Sequence, residues 1–292
     1  MITLEIPTTK RTLYLPEDLA ECDERQYAEA CLLIYKYQNK KITPDDFKVE
    51  MIYKLLNLKK GNRKINDDDL ENMYSGIDCL TGFIDSFFEI IETDGKEDLV
   101  IKQYYIHNHT PVIKDGFKTW YGPADEFNDV SFGQYIDALN VYSMIEGECT
   151  EELLFRLMAI FYLPKDKTYT PELAEKNFYH FKAVYFGRVY GFFLLFASFQ
   201  KYLFTAKVFV HGNELDLSIL FSGKDGKKEE SNIPGIGMLG VAHQLAESGV
   251  YGPMKELRIT NLWEVMINLY DIRKRDLDNE ARRKKETAKS KK

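Results

Sequence analysis

The sequence predicts a mainly α protein with a minor β component, in which two helical bundle halves are joined by a short strand and aromatic segment. Three observations carry this expectation. Helix-start signals recur at Asp23, Thr43, Asn66 and Ser131. Apolar residues after each of them repeat at helical spacing. That period fails from Thr93 to Asp129, where β-branched and aromatic residues stand between Asn, Pro, Asp and Gly.

Residues 1–15 alternate loosely, and "ITLEI" and "TLYL" predict short strands able to pair as a hairpin. Residues 16–92 predict a three-helix region. Asp23 and Gln26 form a capping-box pair, after which Tyr27, Ala30, Cys31 and Ile34 share one face. "ITPDDF" starts the second helix. Thr43 caps it, Pro44 takes the first helical position where its missing N–H is not needed, and Ile42 can staple onto Phe47. Phe47, Met51, Leu55 and Leu58 continue that helix until "GNRK" breaks it. Asn66 caps the third, with Asp67, Asp68 and Asp69 placing negative charge beside the positive helix end. Its apolar positions, Leu70, Met73, Ile77, Leu80, Ile84, Phe87 and Ile91, step alternately by three and four. That spacing predicts a coiled-coil-like seam, and the three stripes together predict a small antiparallel bundle.

Residues 93–129 predict a strand or hairpin connection, carried by "LVIKQYYIH" and "PVIKDGFKTWYG". Residues 130–272 return to helix. Ser131 and Gln134 make a second capping box, and Val130 and Tyr135 a hydrophobic staple. That helix is expected to reach about Ile145. "GECT" separates it from one near Thr150 to Tyr162, which Pro164 ends; Thr170 and Pro171 start the next. The Phe178–Lys207 stretch is apolar around most of its circumference, so its helix is expected to be buried. The segment from Ser222 is polar and Gly-rich and predicts a loop. Helices follow near Gly237–Ser248 and from about Thr260, with Leu262, Met266, Leu269 and Tyr270 inward.

Charge is unevenly placed. Of 39 Lys and Arg and 46 Asp and Glu, ten and four fall in residues 273–292, a net of +6 that leaves the rest at −13. An acidic body repels phosphate, so a nucleic-acid groove is not expected. Residues 273–292 predict a solvated, frayed tail, able at most to touch nucleic acid weakly. The run "VYGFFLLFASFQ" is too short to span a membrane, and "MITLEIPTTKRTLYLP" lacks the basic-then-apolar pattern of a signal peptide. Cys22, Cys31, Cys79 and Cys149 form no CxxC pair, which suits reduced thiols and a cytoplasmic location.

Chemistry-bearing motifs are few. "GIGMLG" (Gly235, Gly237, Gly240) fits a dinucleotide-loop spacing, but "KKEESNIP" before it is no β-strand, so glycines that permit close helix packing are the preferred reading. "HNH" places His107 and His109 on one face of a strand, read as two surface histidines without a metal. "NDDDLE" lacks the Gly and distal Glu of a calcium loop. No GxSxG, Ser-Lys, Cys-His or Walker pattern occurs. The expectation is a protein that is not an enzyme and takes no cofactor and no metal.

The aromatic run from Phe178 to Phe204 remains. Most of it is expected to form core. Part of it can await a protein partner by helix-in-groove recognition, and the candidate partner-binding residues are Tyr185, Tyr190, Phe192, Phe193, Phe196, Phe199 and Tyr202.

Three segments then carry a family resemblance. "LPEDLAECDERQYAEACLLIYKYQNKKITPDDFKVEMIYKLL" looks like the N-terminal region of small proteins encoded among tailed-phage structural genes. "DVSFGQYIDALNVY" followed by "LLFRLMAIFYLPKDKTY" is similar to a pair recurring in phage tail assembly proteins. "GIGMLGVAHQLAESG" and the Lys-rich final helix resemble the close of tail assembly chaperones. The likeness is one of layout, and residues 204–232 have no counterpart in it. It implies a non-enzymatic chaperone, made in the host cytoplasm, that covers apolar helices of a tape-measure protein during virion assembly. A homo-oligomer is compatible with it. The alternatives are a structural neck or tail component of the particle, and a nucleotide-binding enzyme using the Gly235 loop.

Overall fold

The computed structural model describes residues 1–6, 11–59, 66–93, 95–115, 118–210, 212–221 and 237–290. The chain is mainly α with a minor β component. Strands β1 (Ile2–Ile6) and β2 (Arg11–Leu15) pair antiparallel, with Ile2 opposite Leu15. Helix α1 (Glu24–Gln38) starts on the Asp23–Gln26 capping box and buries Tyr27, Ala30, Cys31 and Ile34. Helix α2 (Pro44–Leu55) starts on Thr43 and buries Phe47, Met51 and Leu55. It ends before Leu58, because Asn57 takes a left-handed φ of 52°.

Helix α3 (Asp67–Thr81) stops well short of Ile91. A 3₁₀ turn over Gly82–Phe87 follows, and the chain then enters strand β3 (Phe88–Thr93), which pairs with β4 (Lys96–Ile101). The predicted seam is therefore corrected. Ile84 and Phe87 are buried in the 3₁₀ turn, Ile91 belongs to a strand, and Met73 stands exposed on α3. Gly82 weakens the helix where the stripe would continue, and the β-branched and aromatic run "FFEIIET" favours extended backbone.

Strands β5 (Val112–Asp115) and β6 (Lys118–Tyr121) form a third antiparallel pair, extended by the two-residue β7 (Leu163–Pro164). Helices α4 (Phe132–Gly147) and α5 (Glu151–Phe161) both fall between β6 and β7 in sequence. Thr170 caps α6 (Pro171–Phe181) as expected, and the apolar helix expected over Phe178–Lys207 begins later, as α7 (Phe186–Thr205), with Phe178 and Phe181 belonging to α6. A hairpin, β8 (Lys207–Val210) and β9 (Asn213–Asp216), and a 3₁₀ turn over Leu217–Leu220 come next. The loop predicted from Ser222 lies outside the described residues. Helices α8 (Gly237–Ser248), α9 (Met254–Ile259) and α10 (Leu262–Ser290) complete the chain. The expected frayed tail is helical through Ser290. Pairs four residues apart, Lys274 with Asp278 at 2.6 Å and Arg275 with Asp271 at 3.0 Å, support it.

The core centres on α7, which packs along α1, α5 and the 3₁₀ turn after β9. Two glycines four residues apart let α7 approach α1. A Cβ on Gly187 would lie 2.0 Å from the Ala28 carbonyl oxygen, and one on Gly191 would lie 2.6 Å from the Tyr27 ring. Phe127 enters the same core from a left-handed backbone, φ 56°, and stacks on Phe199 with ring centroids 4.2 Å apart. A bulky residue in that region costs about 1–3 kcal/mol, which burial of the ring offsets at about 1.5–3 kcal/mol.

The Ser131 capping box aims α4 at the α9–α10 junction. The Phe132 N–H donates to the Thr260 carbonyl at 2.8 Å, and the Leu262 N–H donates to that of Val130 at 2.9 Å. Arg258 reaches Asp137, which also accepts from the Tyr169 hydroxyl. Leu262, Val265 and Met266 are buried at this junction, and beyond it α10 becomes progressively exposed, fully so from Ala281 to Lys289.

Candidate partner-binding surface

The aromatics singled out for partner binding divide sharply. Tyr190, Phe192, Phe196 and Phe199 are buried, so they are core and present no surface to a partner in this conformation. Phe196 and Phe199 surround Phe127, and Phe192 lies 5.2 Å from Phe161. Phe193 is half-buried against Tyr142, and Tyr202 is half-buried beside Trp263. Only Tyr185, 42% exposed, stands open. It lines a surface cavity with Glu29 and Arg188; partial burial and the Glu29 carboxylate push its phenol up to about 12. One helix is covered on nearly every side because α1, α4 and α5 supply neighbours all round.

The histidine pair is also corrected. Residues 102–111 are not a strand, and although the two rings meet edge-on, centroids 5.0 Å apart, only one of them is at the surface. His107 is exposed, with Nδ1 2.9 Å from Asp125. His109 is buried and lies flat on Tyr27, centroids 4.2 Å apart and planes within 5°. Its Nε2 donates to the Ala20 carbonyl at 3.3 Å, while Nδ1 has no hydrogen-bond partner among the described residues. Burial holds its pKa below the ordinary histidine value. The Tyr27 hydroxyl donates to the Gly191 carbonyl at 2.7 Å and lies 2.7 Å from that of Tyr105, which ties α1, α7 and this connection together. Among the described residues no group of three or more His, Cys, Asp and Glu is placed to hold a metal ion. Cys22 and Cys31 are buried, Cys79 and Cys149 are exposed, and all four are unpaired. Gly235 lies outside the described residues, and no helix among the described residues is long and apolar enough to cross a membrane.

The surface that stands out is one that sequence periodicity misplaced, the arm formed by α3, its 3₁₀ turn and the β3–β4 hairpin. At the base of the hairpin Phe88 pairs with buried Ile101 and packs edge-on to Phe47 and Tyr37. Two residues further out, on the same face by the period of the strand, Ile90 pairs with Leu99. Those two side chains are 66% and 57% exposed. The apolar face that anchors the hairpin thus continues past the core into solvent. Tyr74 on α3 is 61% exposed, and Tyr104, which donates to Glu89, is exposed as well. The sheet has two strands, so each strand has an unpaired edge. The readable signal was the alternation in "FEIIET" and "KEDLVI", which the helical spacing of the preceding stripe obscured.

The arm is also strongly acidic. Residues 66–101 hold eleven Asp or Glu and a single Lys, Lys96. Apolar side chains set in a field of one sign suit recognition of a polypeptide whose flanks are neutral or basic. Comparison of the chain with family models, with curated proteins and with solved structures finds no match.

Proposed function

We propose that this chain is a non-enzymatic assembly factor of the tail assembly chaperone kind, which holds apolar helical segments of a tape-measure type partner during virion assembly. The observation that carries the reading is the exposed Ile90–Leu99 pair on the face that elsewhere forms core. An unpartnered amphipathic helix aggregates in water unless its stripe is covered. An apolar patch on a two-stranded arm can cover such a stripe and release it, because the contact is small and rimmed by charge. The layout resemblance in the capped helices at Asp23 and Ser131 supports the same reading.

Co-expression with a tail tape-measure protein tests it. The chain is expected to keep that protein soluble and to co-purify with it, and the double variant Ile90→Glu, Leu99→Glu is expected to lose both effects while keeping its helical circular dichroism. Unchanged tape-measure solubility with and without the chain would remove the proposal.

A second reading, a structural neck or tail component, is favoured by one observation: α10 carries its exposed, basic end well away from the core. Mass spectrometry of purified particles separates the two. A chaperone is absent from the particle, and a structural component is present in fixed copy number.

A further inference from the structure

Two stretches of the chain carry opposite net charge. The arm, residues 66–101, has a net of −10, from eleven acids and one lysine. The last twenty residues, 273–292, have a net of +6, from ten bases and four acids, and α10 covers them as far as Ser290. Helix α10 is 29 residues long, about 44 Å at 1.5 Å per residue. Its N-terminal half is anchored, with Leu262, Val265 and Met266 buried, Leu269 and Ile272 packed on the core, and Arg273 donating to the Ile219 carbonyl. From Ala281 to Lys289 every residue is exposed.

We infer that the chain self-associates head to tail, the basic outer half of α10 of one copy lying along the acidic arm of a second copy. Charge complementarity selects the occupant. A basic helix end is drawn to acidic surface, and the arm concentrates it: residues 66–101 hold a net of −10, while the chain outside the arm and the last twenty residues holds only −3. The contact lies between copies because, among the described residues, α10 packs on α4 and on the 3₁₀ turn after β9 and does not lie along the arm of its own chain. The arm also offers what long basic side chains use besides carboxylates. Tyr74 can take a guanidinium over its ring, and Ile90 and Leu99 can cover the methylene stems. The two surfaces differ, so each associated pair keeps one arm and one helix end open. Such a contact builds a ring or an open filament, not an isologous dimer. This inference stands apart from the chaperone reading, because the measurement below contains no partner protein.

Sedimentation velocity on the full chain tests it, over a range of concentrations and at two salt levels. The wild type is expected to show mass above the monomer that rises with concentration. That mass is expected to fall when salt is raised from ~50 to ~500 mM, since the screening length shrinks severalfold. One variant reverses the helix, Arg282→Glu, Arg283→Glu, Lys285→Glu and Lys289→Glu. Another strips the arm of most of its net charge, from −10 to −2, by Glu71→Lys, Asp78→Lys, Glu92→Lys and Glu97→Lys. All eight side chains are exposed, so the fold is expected to persist, with circular dichroism melts as the control. Each variant alone is expected to be monomeric, and an equimolar mixture to form a mixed pair, through the native arm of the first variant and the native helix end of the second. A wild type that is monomeric throughout overturns the inference. So does association that survives both sets of substitutions, or a mixture that stays monomeric. A monomeric chain whose helix end binds a short DNA duplex would overturn it in favour of a phosphate-binding role.

Discussion

Ile90 and Leu99 sit directly opposite each other across the β3–β4 hairpin, and both project into solvent on the face whose base, Phe88 and Ile101, is packed against α1 and α2. Their exposure means that neither contributes much to the stability of the isolated chain. Replacing either by Thr, which keeps strand propensity, is expected to change unfolding free energy by no more than about 0.5 kcal/mol. The same change is expected to lower binding of an apolar dye. Urea denaturation with dye titration checks both outcomes.

The α1–α7 crossing makes the opposite prediction. Gly187→Ala gains helix propensity of about 1 kcal/mol, but its Cβ would meet the Ala28 carbonyl at 2.0 Å, a backbone atom that cannot rotate aside. Overpacking of this kind costs about 1–3 kcal/mol, so net destabilisation is expected. Gly191→Ala meets the Tyr27 ring, which also carries the hydrogen bonds to Gly191 and Tyr105. A fall in the urea midpoint for each variant, at unchanged slope, is the expected result.

The α4 start has two roles that a single substitution separates. Ser131→Ala removes the cap on the Gln134 N–H and is expected to cost about 1 kcal/mol. Gln134→Ala removes the returning half of the box and also the buried bond from its Nε2 to the Ile160 carbonyl, 3.0 Å. Leaving that carbonyl unsatisfied adds about 1–3 kcal/mol, so Gln134→Ala is expected to be the more damaging of the two. Thermal unfolding of both variants ranks them.

His109 makes stability fall on mild acidification. Burial on Tyr27 lowers its folded pKa below the unfolded value of 6.5. Above 6.5 both states are neutral and there is no penalty. As pH falls through 6.5 the unfolded chain takes up a proton that the folded chain resists, and stability is lost until pH passes the folded value. Exposed His107 and its partner Asp125 face the same ring. Burial works against ionised Asp125, yet the Asn108 N–H and His107 hold its carboxyl below the usual range, so its contribution is lost only at lower pH. His109→Phe is expected to flatten the slope of stability between pH 7 and 5, while Asp125→Asn leaves that window largely unchanged. Denaturation midpoints across that range check the pair.

Much of the helical framework was legible because capping is local chemistry. Asp23 with Gln26, Thr43 with Pro44, and Ser131 with Gln134 each fix a helix start within four residues, and each forms as read. The third helix was misread because spacing by three and four continues by accident into a strand. Leu80, Ile84 and Phe87 fit a heptad, yet Gly82 and the run after Phe87 decide the backbone. The fate of His109 was not legible, since its burial depends on Tyr27 of a distant helix. The aromatic run announced a core. Which rings face inward was decided by where α1, α4 and α5 dock, so Phe196 vanished from the surface while Tyr185 stayed on it. The spacing of Gly187 and Gly191 was visible but carried no meaning until α1 was placed against it.

The most direct measurement is amide hydrogen exchange on the chain with and without an apolar helical segment of a tape-measure protein. Protection is expected to concentrate in residues 88–101 and on α3, and to disappear in the Ile90→Glu, Leu99→Glu variant. Protection confined to other elements, or none anywhere with the segment in excess, would contradict the assignment of the arm as the partner-binding surface.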